Sequence, residues 1–416
     1  MLRPIGVAQQ YARASGDDLR ILVVGAGIAG VTVAQLLRRA GRHPVLIERA
    51  PEPTPAGYML ALMPMADAAL DELGVTDRYR AASVPVNRYA VRSHTGRLLR
   101  TDSVSTLRGR FGDYRGISRG ALLDVLAAEG CDVAFATTVT ALDEGASSAP
   151  VALTTGRTTR RLHFDVVVIA DGIGSATRRF VPGGVAPQIT DTGWGGWVVW
   201  APRPERAEDA DLMEELWGAG FVLGSYPVAG AAGVFLGGPR RDTAAGPEAF
   251  TGRVRARLRT VAPRVGSALA CVAAHPDPYY WPLTDCRAAR WTTPRTALLG
   301  DAAAGFLPTA GVGAGMAIES AWVLARALRH ADTVGAAAAL RGYEQLQRPR
   351  VEAAQTNSRH LARLTFRRSR ALAWARELAM RMVSVEAGLR PIQRLLETPP
   401  DPDAVLRSCS AQRLPG

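Results

Sequence analysis

The chain has 416 residues, and all 50 of its basic side chains are arginine, which leaves a formal net charge of +12 and no lysine. The chain therefore lacks the amine needed for Schiff-base and pyridoxal catalysis, and the lysine that binds phosphate in nucleotide-hydrolysing loops. A composition of 47% hydrophobic and 21% charged residues is typical of a globular protein, and the length suggests roughly two to three domains.

Cysteine spacing predicts neither a disulfide framework nor a metal centre, because no CxxC pair and no histidine at zinc spacing is present. The cysteines are Cys131, Cys271, Cys286 and Cys409. Residues 1–18 lack the apolar core of a secretory signal, and no apolar run approaches the roughly 18 residues of a membrane span. We expect a cytoplasmic protein with no membrane span.

A strand, a tight turn, a helix and a second strand are predicted near the amino end of the chain. An apolar run leads into Gly25, Gly27 and Gly30 with GxGxxG spacing, followed by a helical pattern at 31–39. The glycines suit a tight turn, a close approach of backbone to a pyrophosphate, and close packing of helix on strand. Glu48 ends the second strand, where a carboxylate can accept a hydrogen bond from a ribose hydroxyl. This unit predicts NAD or FAD binding, and the lack of a second copy favours FAD.

A second glycine-containing segment follows the apolar strand predicted at 165–170. The strand runs into Asp171 and Gly172, and two arginines, Arg178 and Arg179, come shortly after. Asp-Gly is favourable turn chemistry after any strand. The same position is the carboxyl end of a strand, where ligands of open α/β sheets bind. Both interpretations stay open for this segment taken alone.

Residues 188–289 contain alternating apolar runs at 197–200, 221–223 and 233–236, which are typical of strands in a second sheet.

A third glycine-containing segment comes next, where a strand ends in Gly300 and Asp301. A loop then opens a helix predicted at 317–328, and its backbone N–H groups can face an anion. The loop contains Pro308, Gly311, Gly313 and Gly315.

The carboxyl-terminal part, 343–397, reads as arginine-rich helices, and Pro399 and Pro400 indicate a loose end. One interpretation is a basic amphipathic helix for anionic lipid. The favoured one is a cationic face on helices packed against the body of the protein. Elsewhere the arginines are dispersed, which disfavours a nucleic-acid partner.

Taken together, the three segments resemble the single-component (group A) FAD-dependent aromatic hydroxylases, flavoprotein monooxygenases with the p-hydroxybenzoate hydroxylase fold. The resemblance covers 19–350. It implies an α/β fold, with a Rossmann-like FAD-binding domain, a second β-sheet substrate domain and a C-terminal helical segment. The implied boundaries are 19–183 with 290–345 for the FAD-binding domain, part of 76–116 and 184–289 for the substrate domain, and 346–416 for the C-terminal helices and tail.

The resemblance also assigns cofactor contacts, residue by residue. The residues expected to bind FAD, some together with NAD(P)H, are Gly25, Gly27, Gly30, Glu48, Arg119, Asp171, Gly172, Arg178, Gly300, Asp301 and Gly315. Those expected against the reactive isoalloxazine ring are Pro308, Gly311 and Gly313. Candidate contacts to a flat substrate are Tyr58, Trp200, Tyr280 and Trp281, although aromatic residues in strands more often pack within the sheet.

The third segment departs from the family pattern. Ala304 replaces a usual histidine, Val312 and Gly315 replace the Gln and Asn of Gly-Gln-Gly-x-Asn, and Ser320 replaces a frequent acid. The loop glycines remain. We therefore expect backbone amides to make the hydrogen bonds to the flavin in this loop.

The implied reaction uses NADPH or NADH to reduce FAD, and O2 then forms a flavin C4a-hydroperoxide that hydroxylates an aromatic or polyketide-like small molecule of secondary metabolism. Baeyer-Villiger or epoxidation chemistry and a reductase or cyclase reaction remain alternatives on the same fold. A flavin halogenase is disfavoured, because that branch depends on a lysine. A non-enzymatic basic binding protein is the remaining rival.

Overall fold

The computed structural model describes residues 1–53, 57–104, 109–183, 186–203, 209–382 and 388–403. The helices within these ranges are α1 (Val7–Arg13), α2 (Ile28–Arg39), α3 (Asp67–Glu72), α4 (Thr76–Ala82), α5 (Arg119–Leu126), α6 (Arg240–Thr243), α7 (Pro247–Arg257), α8 (Pro263–Ala274), α9 (Gly313–Leu328), α10 (Ala336–Thr365), α11 (Arg370–Met382) and α12 (Arg390–Glu397).

The strands within the same ranges are β1 (Leu2–Pro4), β2 (Ile21–Val24), β3 (Val45–Ile47), β4 (Met59–Leu62), β5 (Val84–Pro85), β6 (Arg88–Arg92), β7 (Leu98–Ser103), β8 (Arg115–Ser118), β9 (Cys131–Val133), β10 (Thr137–Leu142), β11 (Ala149–Thr155), β12 (Thr158–Phe164), β13 (Val166–Ile169), β14 (Gln188–Pro202), β15 (Leu212–Trp217), β16 (Val222–Val228), β17 (Ala231–Pro239), β18 (Tyr279–Arg287), β19 (Thr296–Leu298) and β20 (Ala304–Gly305).

A four-stranded parallel sheet in the order β19-β13-β2-β3 forms the first layer. All of its strand residues are buried, as expected for short apolar strands covered on both faces. The predicted strand-turn-helix-strand unit is confirmed, but α2 begins at Ile28 rather than 31, because Gly27 already takes the N-cap position. The carboxyl ends of β2, β13 and β19 therefore lie side by side at one edge.

The second layer is an eight-stranded sheet in the order β20-β18-β14-β17-β16-β15-β6-β7. Its pairs are antiparallel apart from β15 with β6. Strands β6 and β7 bring part of 76–116 into this sheet, while the domain boundaries themselves stay predictions. One face packs on α7 and α8 through residues such as Trp197 and Phe250, and the other carries Val198 and Phe235.

The C-terminal helices pack back onto both sheets. Arg350 of α10 forms a buried ion pair with Glu319 of α9 at 2.7 Å, and Arg359 binds the fully buried Asp285 of β18 through two contacts of 2.8 Å. These two arginines are therefore part of the packing of α10. Among the described helices, none combines the length and the apolar character needed to cross a membrane.

Helix α9 begins at Gly313, four residues before the predicted start. Gly311 precedes it with a φ of +63°, in the left-handed region that favours glycine. The last two glycines of the loop, Gly313 and Gly315, are consequently the first residues of the helix rather than part of the turn. This places the amino end of α9 at the edge where β19 ends.

Candidate active site

A cavity of about 800 Å³ lies between the carboxyl edge of the parallel sheet and the inner face of the eight-stranded sheet. Residues from all three glycine-containing segments line one part, among them Gly25, Gly27, Glu48, Asp171, Gly172, Asp301, Pro308, Gly311 and Gly313. The other part is lined by aromatic and aliphatic side chains, among them Tyr58, Tyr114, Trp217, Phe235 and Trp281. Segments that are far apart in the sequence thus meet at a single cavity.

The three glycines of the first turn have different local roles. Gly25 has a φ of +102°, and a Cβ there would lie 2.6 Å from the Ala170 carbonyl oxygen. A Cβ on Gly30 would overlap with the Gly25 carbonyl oxygen, so this residue serves helix-strand packing and does not line the cavity. A Cβ on Gly27 would meet no side chain or distant backbone within 4 Å, and this glycine faces the cavity. Only Gly27 leaves open space for a bound group.

Glu48 follows β3 and holds the glycine turn. Its Oε2 accepts a hydrogen bond from the Ala26 N–H at 2.9 Å, and its Oε1 accepts one from the Ala50 N–H at 2.9 Å. A carboxylate has about four acceptor positions, so two remain on a residue that lines the cavity. The position is compatible with the predicted ribose contact.

In the second segment, Asp171 lines the cavity and caps the turn after β13. Its Oδ2 accepts from the Thr177 N–H at 3.2 Å and from the Thr177 hydroxyl at 2.8 Å. Its Oδ1 is buried and has no hydrogen-bond partner in the part of the chain that is described. Gly172, beside it, has a φ of +86° and faces open space.

The structure gives Arg178 a different place from the predicted cofactor contact. Its guanidinium donates to the carbonyl oxygens of Ala302, at 2.8 Å, and Ile173. Arg178 is not among the residues that line the cavity. It joins the second glycine-containing segment to the third, so we assign it a positioning role.

Asp301 opens the third segment after Gly300, whose φ is +59°. The Asp301 side chain is exposed at the cavity, and the protein around the cavity desolvates it enough to raise the pKa of its carboxyl to about 6. Gly300 and Gly315 lie outside the cavity lining; a Cβ on Gly315 would come within 2.7 Å of the Met65 side chain. Both glycines pack closely against neighbouring elements, and their cofactor contacts stay predictions.

Helix α10 holds the loop that leads to Pro308, a feature that the sequence analysis missed. The Gln355 amide donates to the carbonyl oxygens of Gly305 at 2.6 Å and Cys286 at 2.7 Å. The Ser358 hydroxyl donates to the Leu307 carbonyl oxygen at 2.7 Å. Both side chains are fully buried. The available signal was a polar stripe on a face of α10 that is otherwise apolar.

Two of the four predicted substrate contacts lie at the cavity. Tyr58 and Trp281 line it with ring centroids 4.9 Å apart. Burial raises the pKa of Tyr58 to about 12, so its hydroxyl keeps its proton at neutral pH. Arg119 also lines the cavity, where its positive charge opposes the rise in the Tyr58 pKa, and it donates its backbone N–H to the Tyr58 carbonyl oxygen at 2.9 Å.

The geometry does not bring Tyr280 and Trp200 to the cavity. Successive side chains of a strand point to opposite faces, so Tyr280 points away from the face of Trp281. Its hydroxyl lies 2.8 Å from the Thr243 hydroxyl, and its ring packs against Trp197. Trp200 is half-buried near the end of β14 and is not a lining residue. The packing alternative therefore describes Tyr280.

The sequence analysis also missed a group of polar side chains at the aromatic end of the cavity. Glu215 accepts hydrogen bonds from the Tyr89 hydroxyl at 2.6 Å, the Trp217 indole N–H at 2.8 Å and the Tyr226 hydroxyl at 2.8 Å. Burial, and next the charge of Glu215, raise the pKa of Tyr89 and of Tyr226 well above the ordinary value. Both hydroxyls therefore stay protonated at neutral pH.

The cavity edge at α2 fits the phosphate and ribose groups of a dinucleotide. The N-cap residue of α2, Gly27, provides no side-chain cap, so the first N–H groups of the helix are available to an anion. The same cavity has open space beside Gly27 and Gly172. It is also lined by Asp171, whose Oδ1 has no hydrogen-bond partner among the described residues. A family model described as an FAD binding domain matches residues 18–358.

The chain belongs to the group A flavoprotein monooxygenase family. FAD is the cofactor of this flavoprotein, and the predicted family, α/β fold and cofactor are confirmed. Two relatives show the breadth of the family. The flavoprotein is 30% identical to a 2-heptyl-3-hydroxy-4(1H)-quinolone synthase of Pseudomonas aeruginosa, over 91% of this chain and 97% of the relative. It is 31% identical to the 3-amino-4-hydroxybenzoate 2-monooxygenase PtnB3 of Streptomyces platensis, over 82% and 87%.

Solved structures show the same architecture. The structure of Klebsiella pneumoniae HpxO with FAD and uric acid is 25% identical and matches with a TM-score of 0.79, over 92% of this chain and 97% of that chain. The 2-methyl-3-hydroxypyridine-5-carboxylic acid oxygenase structure, at 22% identity and a TM-score of 0.71, shares the fold over 90% of the flavoprotein.

Proposed function

We propose that the flavoprotein is an NAD(P)H-dependent hydroxylase that inserts one oxygen atom of O2 into an aromatic or polyketide-like small molecule. The observation that carries the proposal is the continuity of the cavity, which joins the glycine-lined edge at Gly27 to the aromatic end at Trp281. The net reaction consumes a ring C–H, O2, NAD(P)H and a proton, and it yields the hydroxylated ring, water and NAD(P)+. A cytoplasmic location stays a prediction.

Residues at the glycine-lined end would hold FAD. The α2 amino end with Gly27 suits the pyrophosphate, and Glu48 suits the adenosine ribose. Asp301 suits a hydroxyl of the ribityl chain, and the loop of Pro308 to Gly313 suits the flat ring. When bound, FAD supplies the redox chemistry that activates O2. The protein contributes orientation and a site that limits the access of water.

The departures at the third segment support backbone contacts to the ring. Ala304 is buried and pairs within the sheet as part of β20, so it offers no side-chain donor. Val312 is also buried. The α9 N-cap has no side-chain capping bond, which leaves backbone N–H groups at the cavity edge for the negative end of a reduced flavin.

The aromatic end favours a flat substrate. Phe235, Phe306 and Trp281 line it together with Leu307, and such side chains bury a ring without competing for its polar groups. By their names, one relative synthesises a hydroxyquinolone and another is a monooxygenase of an aminohydroxybenzoate, and HpxO was solved with uric acid. We extend this pattern to the flavoprotein as an aromatic ring that carries nitrogen or oxygen.

Labelled oxygen tests the proposal. The FAD-loaded protein is incubated with NADPH or NADH, a panel of hydroxylated and nitrogen-containing aromatics, and oxygen-18 gas, and the products are analysed by mass spectrometry. The proposal expects incorporation of one labelled atom into a substrate, with matching consumption of NAD(P)H. Substrate-dependent NAD(P)H oxidation that yields an unlabelled product would favour a reductase or cyclase instead. Protein that does not retain FAD would contradict the assignment.

A further inference from the structure

Glu215 is a carboxylate set into the aromatic end of the cavity. It is half-buried and lines the cavity together with Tyr89, Trp217 and Tyr226, all three of which donate to it at 2.6 to 2.8 Å. An acid at this place has to be stabilised by donors, because a buried charge without partners is costly. The hydrogen bonds fix the carboxylate in one orientation.

The strand register explains why Glu215 faces the cavity. Its neighbour Glu214 points to the opposite face of β15, where it pairs with Arg92 at 2.7 Å. Tyr89 lies on β6 and Tyr226 on β16, the two strands that flank β15. The three residues therefore form a staggered row on one face of adjacent strands, in which Tyr89 pairs with Met213 and Glu215 lies two residues further along β15. Their position is set by the sheet rather than by a loop.

The hydrogen bonds of this row determine what it can offer a ligand. A tyrosine hydroxyl has a single proton, and Tyr89 and Tyr226 both give theirs to Glu215. The indole N–H of Trp217 is also committed to Glu215. The side chains of this row therefore present only oxygen lone pairs, and one negative charge, to the cavity. A ligand group placed here must be a hydrogen-bond donor.

The row lies close to the loop predicted to contact the flavin. Tyr114, which also lines the cavity, has its hydroxyl 3.5 Å from the Cβ position of Gly311 and 3.6 Å from the Met213 sulfur on β15. The Tyr114 hydroxyl therefore reaches from this loop to Met213. A substrate ring packed beside Tyr114 would lie near Glu215, which is two residues from Met213 on the same face of β15. This relation ties the row to substrate rather than to the cofactor end.

Two basic side chains at the cavity could offer a ligand the hydrogen-bond donors that the row lacks. Arg376 lines the cavity, but its guanidinium donates to the carbonyl oxygens of Leu364 at 3.1 Å, Thr365 at 3.3 Å and Trp217. Arg100 also lines the cavity, pairs with Asp102 and donates to the Met380 carbonyl oxygen. The Nη atoms of Arg376 are thus engaged by the protein, and its Nε is buried without a hydrogen-bond partner among the described residues, so it is not exposed to a ligand.

We propose that Glu215, held by Tyr89 and Tyr226, is a specificity-determining subsite that accepts an N–H or O–H donor of an uncharged aromatic ring and rejects a ring that presents a carboxylate there. The proposal rests on the proposed function, because it assigns the substrate class of that same cavity. A ring N–H is a donor that suits the carboxylate.

Equilibrium binding to the oxidised, FAD-loaded protein tests the subsite without turnover. The probes are 4(1H)-quinolone, chromone, in which an oxygen replaces the ring N–H with little change of shape, and 4-hydroxybenzoate. Wild-type protein should bind the quinolone roughly 10- to 100-fold more tightly than chromone, the range for a hydrogen bond to a charged group. It should bind 4-hydroxybenzoate more weakly than the quinolone.

Variants assign the effect to the residue. Glu215→Gln should reduce the quinolone-to-chromone ratio several-fold, because a neutral amide oxygen accepts a hydrogen bond more weakly than a carboxylate. It should also strengthen 4-hydroxybenzoate binding, because the negative charge is gone. Glu214→Gln changes the matched acid on the opposite strand face and should keep the wild-type ratio. Equal binding of quinolone and chromone by wild-type protein, no binding of any probe, or an unchanged ratio in Glu215→Gln would overturn the proposal. The wild-type comparison stands even if Glu215→Gln fails to fold.

The oxygen-18 experiment keeps the two proposals apart. Donor-selective binding that is reduced in Glu215→Gln, without labelled product from any bound ring, would leave the subsite in place and overturn the hydroxylase assignment. Labelled product from protein that shows no preference for a ring with an N–H or O–H donor would support the hydroxylase assignment and overturn the subsite.

Discussion

The Gln355 side chain donates to the Gly305 carbonyl oxygen at 2.6 Å, and this contact joins helix α10 to the loop that carries Pro308. The same amide nitrogen donates to the Cys286 carbonyl oxygen at 2.7 Å. A residue 50 positions away in the sequence thus positions the backbone at the cavity. The loop that faces the predicted flavin ring is therefore held from outside by the C-terminal helices.

Replacing Gln355 with Leu should destabilise this loop. Two buried carbonyl oxygens lose their donor, and each such loss costs about 1–3 kcal/mol. We expect a lower unfolding temperature and weaker FAD retention, both measured on protein purified in parallel. His360→Ala, an exposed position on the same helix, is the control. Wild-type stability and FAD content in Gln355→Leu would show that the loop keeps its shape unaided.

Alanine at Gly27 and at Gly30 should separate cofactor binding from packing. Gly27 faces open space with an ordinary φ of −77°, so its alanine variant should fold normally and bind FAD more weakly. At Gly30 the new methyl would overlap with the Gly25 carbonyl oxygen, and the resulting backbone shift should cost about 1–3 kcal/mol. Thermal unfolding of FAD-free protein and FAD titration measure the two effects. Equal stability losses at both positions would contradict the separation.

Local patterns predicted the glycine turns, Glu48 and Asp301, because each depends on a few neighbouring residues and on the end of one strand. Glu215 escaped prediction because its partners arrive from other strands; Tyr89 is 126 positions away in the sequence. Likewise, the sequence could not decide which of Tyr280 and Trp281 faces the cavity. That choice depends on the register of β18, which its pairing with β14 sets.

Removal of the Glu48 carboxylate should weaken FAD binding through two effects. Glu48→Ala removes a candidate ribose acceptor and also the acceptor of the Ala26 N–H in the glycine turn. A loss of one to two hydrogen bonds to a charged group corresponds to roughly 10-fold or more in Kd. Glu52→Ala, an exposed acid nearby, is the control for charge. Unchanged FAD affinity in Glu48→Ala would refute the ribose assignment.

Asp301 gives the FAD-free protein a pH-dependent stability. Its pKa is about 6 in the folded state against an ordinary 3.8, because the surrounding protein partly desolvates a carboxyl that is exposed only at the cavity and so disfavours its charged form. Between these pH values the folded chain holds a proton that the unfolded chain has released. The contribution of Asp301 to stability is therefore full below pH 3.8 and is lost as the pH rises through about 6.

Asp301→Asn should remove this dependence. The unfolding temperature of the variant, minus that of wild type, should increase as the pH rises towards about 6 and then level off. Asp124→Asn, an exposed carboxyl on α5, should show no such trend. Thermal unfolding of both FAD-free variants across this range provides the measurement. A difference between Asp301→Asn and wild type that is independent of pH would contradict the raised pKa.

Trp281 and its neighbour Tyr280 should respond differently to substitution. Trp281→Leu removes the ring that packs against Tyr58 at the cavity, so substrate affinity should fall by about 1 kcal/mol or more, the range for lost aromatic contacts. Tyr280→Phe removes only the hydrogen bond to Thr243 on the opposite face. It should cost about 0.5–1.5 kcal/mol of stability and leave the Kd of a bound aromatic ring unchanged. The Kd of a bound aromatic ring is measured for both variants with the oxidised FAD-loaded protein. Weaker binding in Tyr280→Phe but not in Trp281→Leu would show that Tyr280, and not Trp281, faces the cavity.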